Sequence, residues 1–102
     1  MQRLPQLSGK PYTEFKEDNG SVTRLFPSWI KLEKLKWHMD DEDRTIRPLH
    51  KTDWLFQLED QLPVPLDGPI FIRRHQWHRL IKGDGPLMIS IYKHARTQTN
   101  KT

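Results

Sequence analysis

The stretch FIRRHQWHRLIKGDGP, residues 71–86, carries the densest group of chemically active side chains in this sequence. Arginine, histidine and tryptophan occupy six of the seven positions from 73 to 79. Side chains of these types ligate metals, contact phosphates, or form the solvated face of a helix that packs on a core. The rest of the sequence is needed to choose between these alternatives.

Metal ligation is the first alternative. His75 and His78 are three residues apart, so on one face of a helix both imidazoles would reach one zinc ion. The chain has no cysteine, and further ligands would have to come from distant histidines, namely His38, His50 or His94. Three cations flank the pair and would repel a dication: Arg74, Arg79 and Lys82. The sequence therefore predicts no metal site at this stretch.

Enzymatic chemistry finds no better support in the sequence. The acidic run at residues 40–43 lacks the spaced carboxylates of a calcium loop, so we expect a solvated loop there. The histidine pair has no placed nucleophile or carboxylate, and there is no phosphate-binding loop or nucleophile elbow. We therefore predict a protein that is not an enzyme and takes no cofactor.

The charge distribution favours a nucleic-acid-binding protein. Residues 1–68 hold ten Lys or Arg and twelve Asp or Glu, whereas residues 69–102 hold seven and one. Such a basic C-terminal third is typical of proteins that contact phosphates. On a helical wheel Trp77, Leu80 and Ile81 share one face, and Gly83 is placed to end the helix. The predicted function is a small accessory factor that binds DNA or RNA through a basic helix and its surroundings: Arg73, Arg74, His75, His78, Arg79, Lys82, Lys93 and Arg96.

A protein-binding function is the alternative. The chain would then be a phage- or plasmid-type adaptor or inhibitor that docks on a larger DNA- or RNA-processing enzyme and modulates it. Trp54 and Trp77 are the candidate anchors, because tryptophan is enriched among interface hot spots. The proline-rich segment at residues 62–69 would supply Pro65, Gly68 and Pro69, and a prolyl isomerase acting on the Gly68–Pro69 bond would be a further partner.

The hydrophobic pattern predicts a small single α+β domain with short strands and two or three helices. Asn19 and Gly20 favour a turn between two strands, and Leu87, Ile89 and Ile91 alternate on one face of a final strand. A helix is predicted over residues 52–60, and residues 70–92 are predicted to form a strand–helix–strand unit. Residues 29–39 fit either a helix or a bulged strand. Their Lys, Leu and Glu content favours the helix.

Domain organisation and location follow from composition. We expect a flexible arm at residues 1–12, one domain at residues 13–94 with a proline-rich linker at 62–69, and a flexible basic tail at 95–102. The absence of cysteine and of any long apolar run predicts a cytoplasmic protein that does not interact with a membrane.

Overall fold

The chain folds into two antiparallel β-sheets. The structure, a computed structural model, describes residues 10–95. Eight strands make up the fold: β1 (Thr13–Lys16), β2 (Val22–Phe26), β3 (Arg44–Pro48), β4 (Leu55–Leu58), β5 (Val64–Pro65), β6 (Ile70–Ile72), β7 (His78–Ile81) and β8 (Leu87–Lys93). The larger sheet has the order β1-β2-β8-β3-β6, and the smaller has the order β5-β4-β7.

The larger sheet is built around the final strand. β8 pairs with β2 on one side and with β3 on the other, and Ile91 is the partner of both Val22 and Ile46. The predicted alternation of Leu87, Ile89 and Ile91 is confirmed, since all three are buried while Met88 and Tyr92 are exposed. The predicted β1–β2 hairpin is also confirmed, and Gly20 at its turn has a φ of 89°.

The core lies between the two sheets. Trp54 precedes β4 and Phe56 lies within it, and the two side chains are 0% and 1% exposed. The Trp54 ring packs on Phe26 of the larger sheet at a centroid distance of 5.8 Å, and its indole N–H donates to the carbonyl of Gly85. These contacts tie the sheets together at the end of the molecule where β4 begins.

The predicted α+β class is wrong, because the described residues contain no α-helix. The predicted helix at residues 52–60 is replaced by the strand β4 and a turn. Thr52 does accept a hydrogen bond from the Trp54 N–H, but Trp54 and Phe56 then face inward with a period of two. The segment 29–39 is neither a helix nor a bulged strand. It contains one short 3-10 turn, Leu32–Lys34, and an isolated bridge at His38.

The predicted strand–helix–strand unit is wrong as well. Residues 73–77 form a turn in which His75 has a φ of 64°, a value that interrupts any helix, and β7 follows at once. The predicted burial is reversed: Trp77 is 42% exposed and His78 only 5%. Side chains alternate between the two faces of β7. Leu80 therefore lies on the same face as His78, and Arg79 lies on the opposite face.

The proline-rich segment at 62–69, predicted to be a linker, also contributes a strand and a core residue to the fold. Val64–Pro65 forms the edge strand β5, a position that tolerates proline, and Leu66 is 1% exposed in the core. The Gly68–Pro69 bond is trans, and its proposed isomerisation stays a prediction. Among residues 10–95, no helix is long and apolar enough to cross a membrane.

Gly83 is required by close packing and not by helix capping. A Cβ atom at this position would lie 2.8 Å from Cδ1 of Trp54 and closer still to the carboxylate of Asp53, which accepts the Asp84 N–H. Trp54 is fully buried and has no room to move away.

We therefore expect Gly83→Ala to lower the free energy of unfolding by about 1–3 kcal/mol through overpacking. Gly85→Ala is the matched control, because a Cβ there would meet nothing within 4 Å. Urea unfolding of both variants checks the expectation. Equal stability of the two variants would contradict the packing described for this turn.

Candidate metal centre

Two histidines forty residues apart in sequence lie side by side in the structure. The His38 N–H donates to the His78 carbonyl at 3.0 Å, and the His78 N–H donates to the His38 carbonyl at 2.9 Å. This reciprocal pair forms an isolated antiparallel bridge at the start of β7. Residues paired in this way project their side chains to the same face, and the two ring centroids are 4.2 Å apart.

The hydrogen bonds of the two imidazoles determine where their lone pairs lie. Nδ1 of His38 is 3.1 Å from the Lys36 carbonyl, and Nδ1 of His78 is 2.7 Å from the Gln76 carbonyl. A carbonyl oxygen only accepts, so each Nδ1 must carry the proton. In a neutral ring Nε2 then keeps its lone pair. Metal-binding histidines are oriented by this same kind of outer hydrogen bond.

Asp40 completes the cluster. One potential ligand atom from each of His38, Asp40 and His78 lies within 4.8 Å of the other two. Oδ2 of Asp40 is 3.3 Å from Nε2 of His78, yet it is buried without a hydrogen-bond partner among the described residues. Its other oxygen, Oδ1, is 3.3 Å from Nη1 of Arg44. Two lone pairs thus face each other across a short gap, an arrangement that a cation would stabilise.

The acidic run and the basic turn hold this cluster in place together. The backbone carbonyl of Asp40 accepts the His75 N–H at 2.7 Å, and the Asp43 carboxylate accepts the Arg74 N–H at 2.8 Å. We predicted that the acidic residues form only a solvated loop, but these hydrogen bonds give them a structural role as well. They fix the turn at residues 73–77, and this turn delivers His78 to the site.

The electrostatic environment favours the metal-binding forms of His38 and Asp40. Desolvation of its ring by nearby protein atoms lowers the pKa of His38, although more than a third of the residue surface stays exposed. Burial alone would raise the pKa of the Asp40 carboxyl, but the contact with His78 and the charge of Arg44 outweigh it, so this pKa is lowered. A neutral imidazole and an ionised carboxylate are the states that bind a metal ion.

The cluster lines a cavity of about 480 Å³ between the sheets. Apolar side chains of both sheets form much of its wall, including Phe56 and Leu80 of the smaller sheet and Ile72 and Ile89 of the larger. Known small-molecule sites have this size, and the wall here combines these apolar side chains with polar and charged ones. The arrangement therefore offers a ligand both an ion-binding centre and an apolar compartment.

The basic residues predicted to form one binding face are dispersed. Arg73, Arg74 and His75 are exposed in the turn, and Lys93 ends β8 and lines the cavity. Arg79 packs its guanidinium over the Trp37 ring at 4.6 Å. The remaining members are His78, which belongs to the metal cluster, Lys82, whose Nζ donates to the Gly83 carbonyl, and Arg96, which lies outside the described residues.

The predicted partner anchors are also spread over the molecule. Trp54 has no exposed surface, so a partner cannot contact it in this structure. Trp77 is exposed, as are Pro65 and Pro69, while Gly68 is half-buried. Binding of a partner or of a prolyl isomerase at these positions stays a prediction.

The candidate metal centre was missed because its residues come from two distant segments. We predicted His38 as a distant ligand. We also predicted that His78 lies on a helix with His75, where Arg79 and Lys82 would repel the ion. On a strand Arg79 faces away from the cluster and its Nε donates to Gln57, so Arg79 does not face an ion bound there. The usable signal was the H-x-D spacing of His38 and Asp40, because alternate residues of an extended segment share a face.

No protein-family model matches this chain, and no curated protein matches it in sequence. Solved structures match its fold. The DMSP lyase DddQ from Ruegeria pomeroyi DSS-3 has a TM-score of 0.66 at 15% identity, over 96% of this chain and 54% of that one. An RmlC-like cupin family protein with a double-stranded β-helix fold from Methanocaldococcus jannaschii has a TM-score of 0.58 at 12% identity, over 91% of both chains. Fe(II) HppE has a TM-score of 0.54 at 13% identity, over 90% of this chain and 60% of that one.

These similarities show that the fold is cupin-like. The chain spans about half the length of the DMSP lyases that it matches. The predicted function of binding nucleic acid through a basic helix is wrong, because the described residues contain no such helix and the fold is that of cupins. The prediction of a non-enzymatic protein is contradicted too, since enzymes are among the structural neighbours and the chain carries a His–Asp–His cluster.

The lowered pKa of Asp40 predicts a pH-dependent contribution to stability. A carboxyl with a lowered pKa stabilises the folded state above its unfolded pKa, and this stabilisation is lost as the pH falls through the folded pKa. In metal-free protein, Asp40→Asn should therefore be less stable than the wild type above about pH 5. The difference should shrink as the pH falls below the ordinary carboxyl value of 3.8.

Urea unfolding across the acid range measures this difference. Asp41→Asn is the control, because the Asp41 side chain is 97% exposed and an exposed charge contributes little to stability. A stability difference between wild type and Asp40→Asn that stays constant from neutral to acid pH would contradict the charge-paired carboxylate.

Proposed function

We propose that the protein is a cupin-type metalloenzyme whose divalent metal ion is bound by His38, Asp40 and His78. The substrate would be a small molecule held in the cavity beside this centre. The fold similarity to DMSP lyases and to Fe(II) HppE supports an enzyme, and the cluster on this chain supports a metal-dependent one.

The observation that carries the proposal is the unpartnered Oδ2 of Asp40 opposite Nε2 of His78. The His78 ring cannot turn to present a donor to Asp40 without losing its hydrogen bond to the Gln76 carbonyl. A buried carboxylate oxygen left in this way is costly, whereas a cation between the two groups satisfies both.

The donor set fits a divalent transition metal. Two imidazoles and one carboxylate form the set typical of non-haem Fe(II) sites, and the same donors also bind Zn²⁺ or Co²⁺. Three protein ligands leave further positions open, as a catalytic site requires. When bound, the ion would act as a Lewis acid that polarises an oxygen atom of the substrate.

The protein side chains have defined roles around that ion. The carbonyls of Lys36 and Gln76 orient the two imidazoles, and Arg44 orients Asp40 through Oδ1. Arg44 is itself paired with Glu42, so its charge is balanced outside the cluster. The apolar wall lowers the local dielectric constant and strengthens each of these interactions.

Titration with Co²⁺ tests the proposal, because Co²⁺ reports its ligands through visible absorption. We expect one equivalent to bind the wild type and to raise its melting temperature. Loss of an outer hydrogen bond to a metal ligand costs about 10–100-fold in affinity, so Asp40→Ala, which removes a ligand, should cost more than about 100-fold.

His75→Asn is the matched control. It removes a nearby histidine outside the cluster, and asparagine tolerates the positive φ of that position. The control should bind Co²⁺ as the wild type does. Equal Co²⁺ affinity of Asp40→Ala and wild type, or no stoichiometric binding by the wild type, would refute the metal centre.

A further inference from the structure

We infer that the substrate of this centre is a small carboxylate whose two oxygens are bound by the terminal amino groups of Arg24, an assignment that rests on the proposed function.

Arg24 is an arginine on the inner face of a strand. It lies between the buried residues Val22 and Phe26 with a spacing of two on either side, and its side chain is only 12% exposed. A guanidinium in such a position is costly to desolvate, and the two neighbouring inward-facing positions of β2 are apolar. The position therefore calls for an explanation other than packing.

Neighbouring residues hold the guanidinium in one orientation. Its Nε donates to Oε1 of Glu14, its directly opposite partner on β1, at 2.8 Å. Its Cζ lies 4.1 Å from the centre of the Tyr12 ring. Glu14 and Tyr12 are thus positioning residues for Arg24.

The terminal amino groups of Arg24 remain available. An arginine has five N–H donors, and only Nε of Arg24 is engaged by an acceptor among the described residues. Arg44, which also lines the cavity, differs in this respect, because Asp40 and Glu42 already engage its guanidinium. Two parallel N–H groups of a planar guanidinium match the two oxygens of a carboxylate.

Arg24 also faces the same cavity as the cluster of His38, Asp40 and His78. A carboxylate held by Arg24 would therefore place the rest of a small molecule next to the ion. In this arrangement Arg24 would bind the carboxylate of the substrate, and the reaction would take place at the metal centre.

The charge of the cavity agrees with an anionic ligand. Six cationic side chains and two carboxylates line it; the cations are Lys10, Arg24, Lys34, Lys36, Arg44 and Lys93. Such an excess of positive charge in a recessed site attracts anions from solution. Glu14 offsets the charge of Arg24 itself, which favours a monoanion over a dianion at this position.

The size and the wall of the cavity limit the remainder of the substrate. Beyond Arg24 the wall is largely apolar, with Phe26, Ile46, Ile89 and Ile91 among its residues. The expected substrate is therefore a carboxylic acid with a short, mainly apolar body and an oxygen or other donor atom that reaches the metal.

Calorimetric titration of Zn²⁺-loaded protein with sodium propionate tests the inference. Propionamide, which is neutral and of the same shape, and methylphosphonate, a tetrahedral oxyanion, are titrated in parallel. We expect propionate to bind at least about tenfold more tightly than either of the other two. Propionamide carries no charge, and the dianion of methylphosphonate, although its oxygens also match the guanidinium fork, is repelled by Glu14.

The test variant is the double substitution Arg24→Gln with Glu14→Gln, which removes both charges and leaves no orphaned carboxylate. Arg24→Lys is the second variant, since it keeps the charge and loses the fork. Propionate affinity should fall at least about tenfold in the first and by a smaller factor in the second. Arg47→Gln is the control, because Arg47 is exposed on the other face of β3 and should leave the affinity unchanged.

The outcomes separate this inference from the proposed function. Zn²⁺ affinity is measured in every variant and should not change. Absence of Zn²⁺ binding by the wild type would refute the metal centre. Propionate would then be titrated into the metal-free wild type and the metal-free double variant, and the same fall in propionate affinity is expected there. Equal affinity for propionate in wild type and double variant, tighter binding of propionamide or methylphosphonate, or no propionate binding at all would overturn the assignment to Arg24.

Discussion

The two backbone hydrogen bonds between His38 and His78 are the constraint on which the candidate site depends. β7 pairs with β4 on one side, and His38 occupies its other side as an isolated bridge. The chain therefore leaves the larger sheet after β2, touches the smaller sheet at His38, and returns to the larger sheet at β3. This crossing brings the His38–Asp40 segment across the cavity, and it joins the two sheets at the place where the ligands converge.

The inner surfaces of the sheets carry more charge than folding alone would favour. Arg24, Arg44, Glu14 and Asp40 all face the cavity, and each pair of charges must compensate for the desolvation of its members. The compensation is incomplete at two places: one oxygen of Asp40 and the terminal amino groups of Arg24. A chain of this size has little stability to spare, so incompletely paired groups in a cavity indicate a site that a ligand completes.

Strand patterns in this sequence were predictable only where a single periodicity fitted. Leu87, Ile89 and Ile91 alternate without exception, and the hairpin turn at Asn19 and Gly20 has strong local preferences, so both were predicted correctly. Two patterns fit the segment 73–82. Trp77, Leu80 and Ile81 would share one face of a helix, whereas His78 and Leu80 would share one face of a strand. The composition of the segment favoured the helix. The strand wins because pairing with β4 and with His38 supplies its backbone hydrogen bonds, and these partners are not visible locally.

The candidate site was harder to predict than the fold for the same reason. His78 acquires its role only through contact with a segment forty residues earlier, and Arg24 acquires its role by facing inward from a strand. Conversely, the charge imbalance that suggested nucleic-acid binding is real, but among the described basic residues of the C-terminal third only Lys93 lines the cavity, and the others do not form one helical face.

The most direct test of the metal centre is long-range ¹H–¹⁵N NMR of the five imidazole rings before and after addition of one equivalent of Zn²⁺. The account predicts that metal-free His38 and His78 carry their proton on Nδ1, and that Zn²⁺ shifts the Nε2 resonances of these two rings. The rings of His50, His75 and His94 should show no such shift. Protonation of His38 and His78 on Nε2 in the neutral metal-free protein, or Zn²⁺-induced shifts confined to the other three rings, would contradict it.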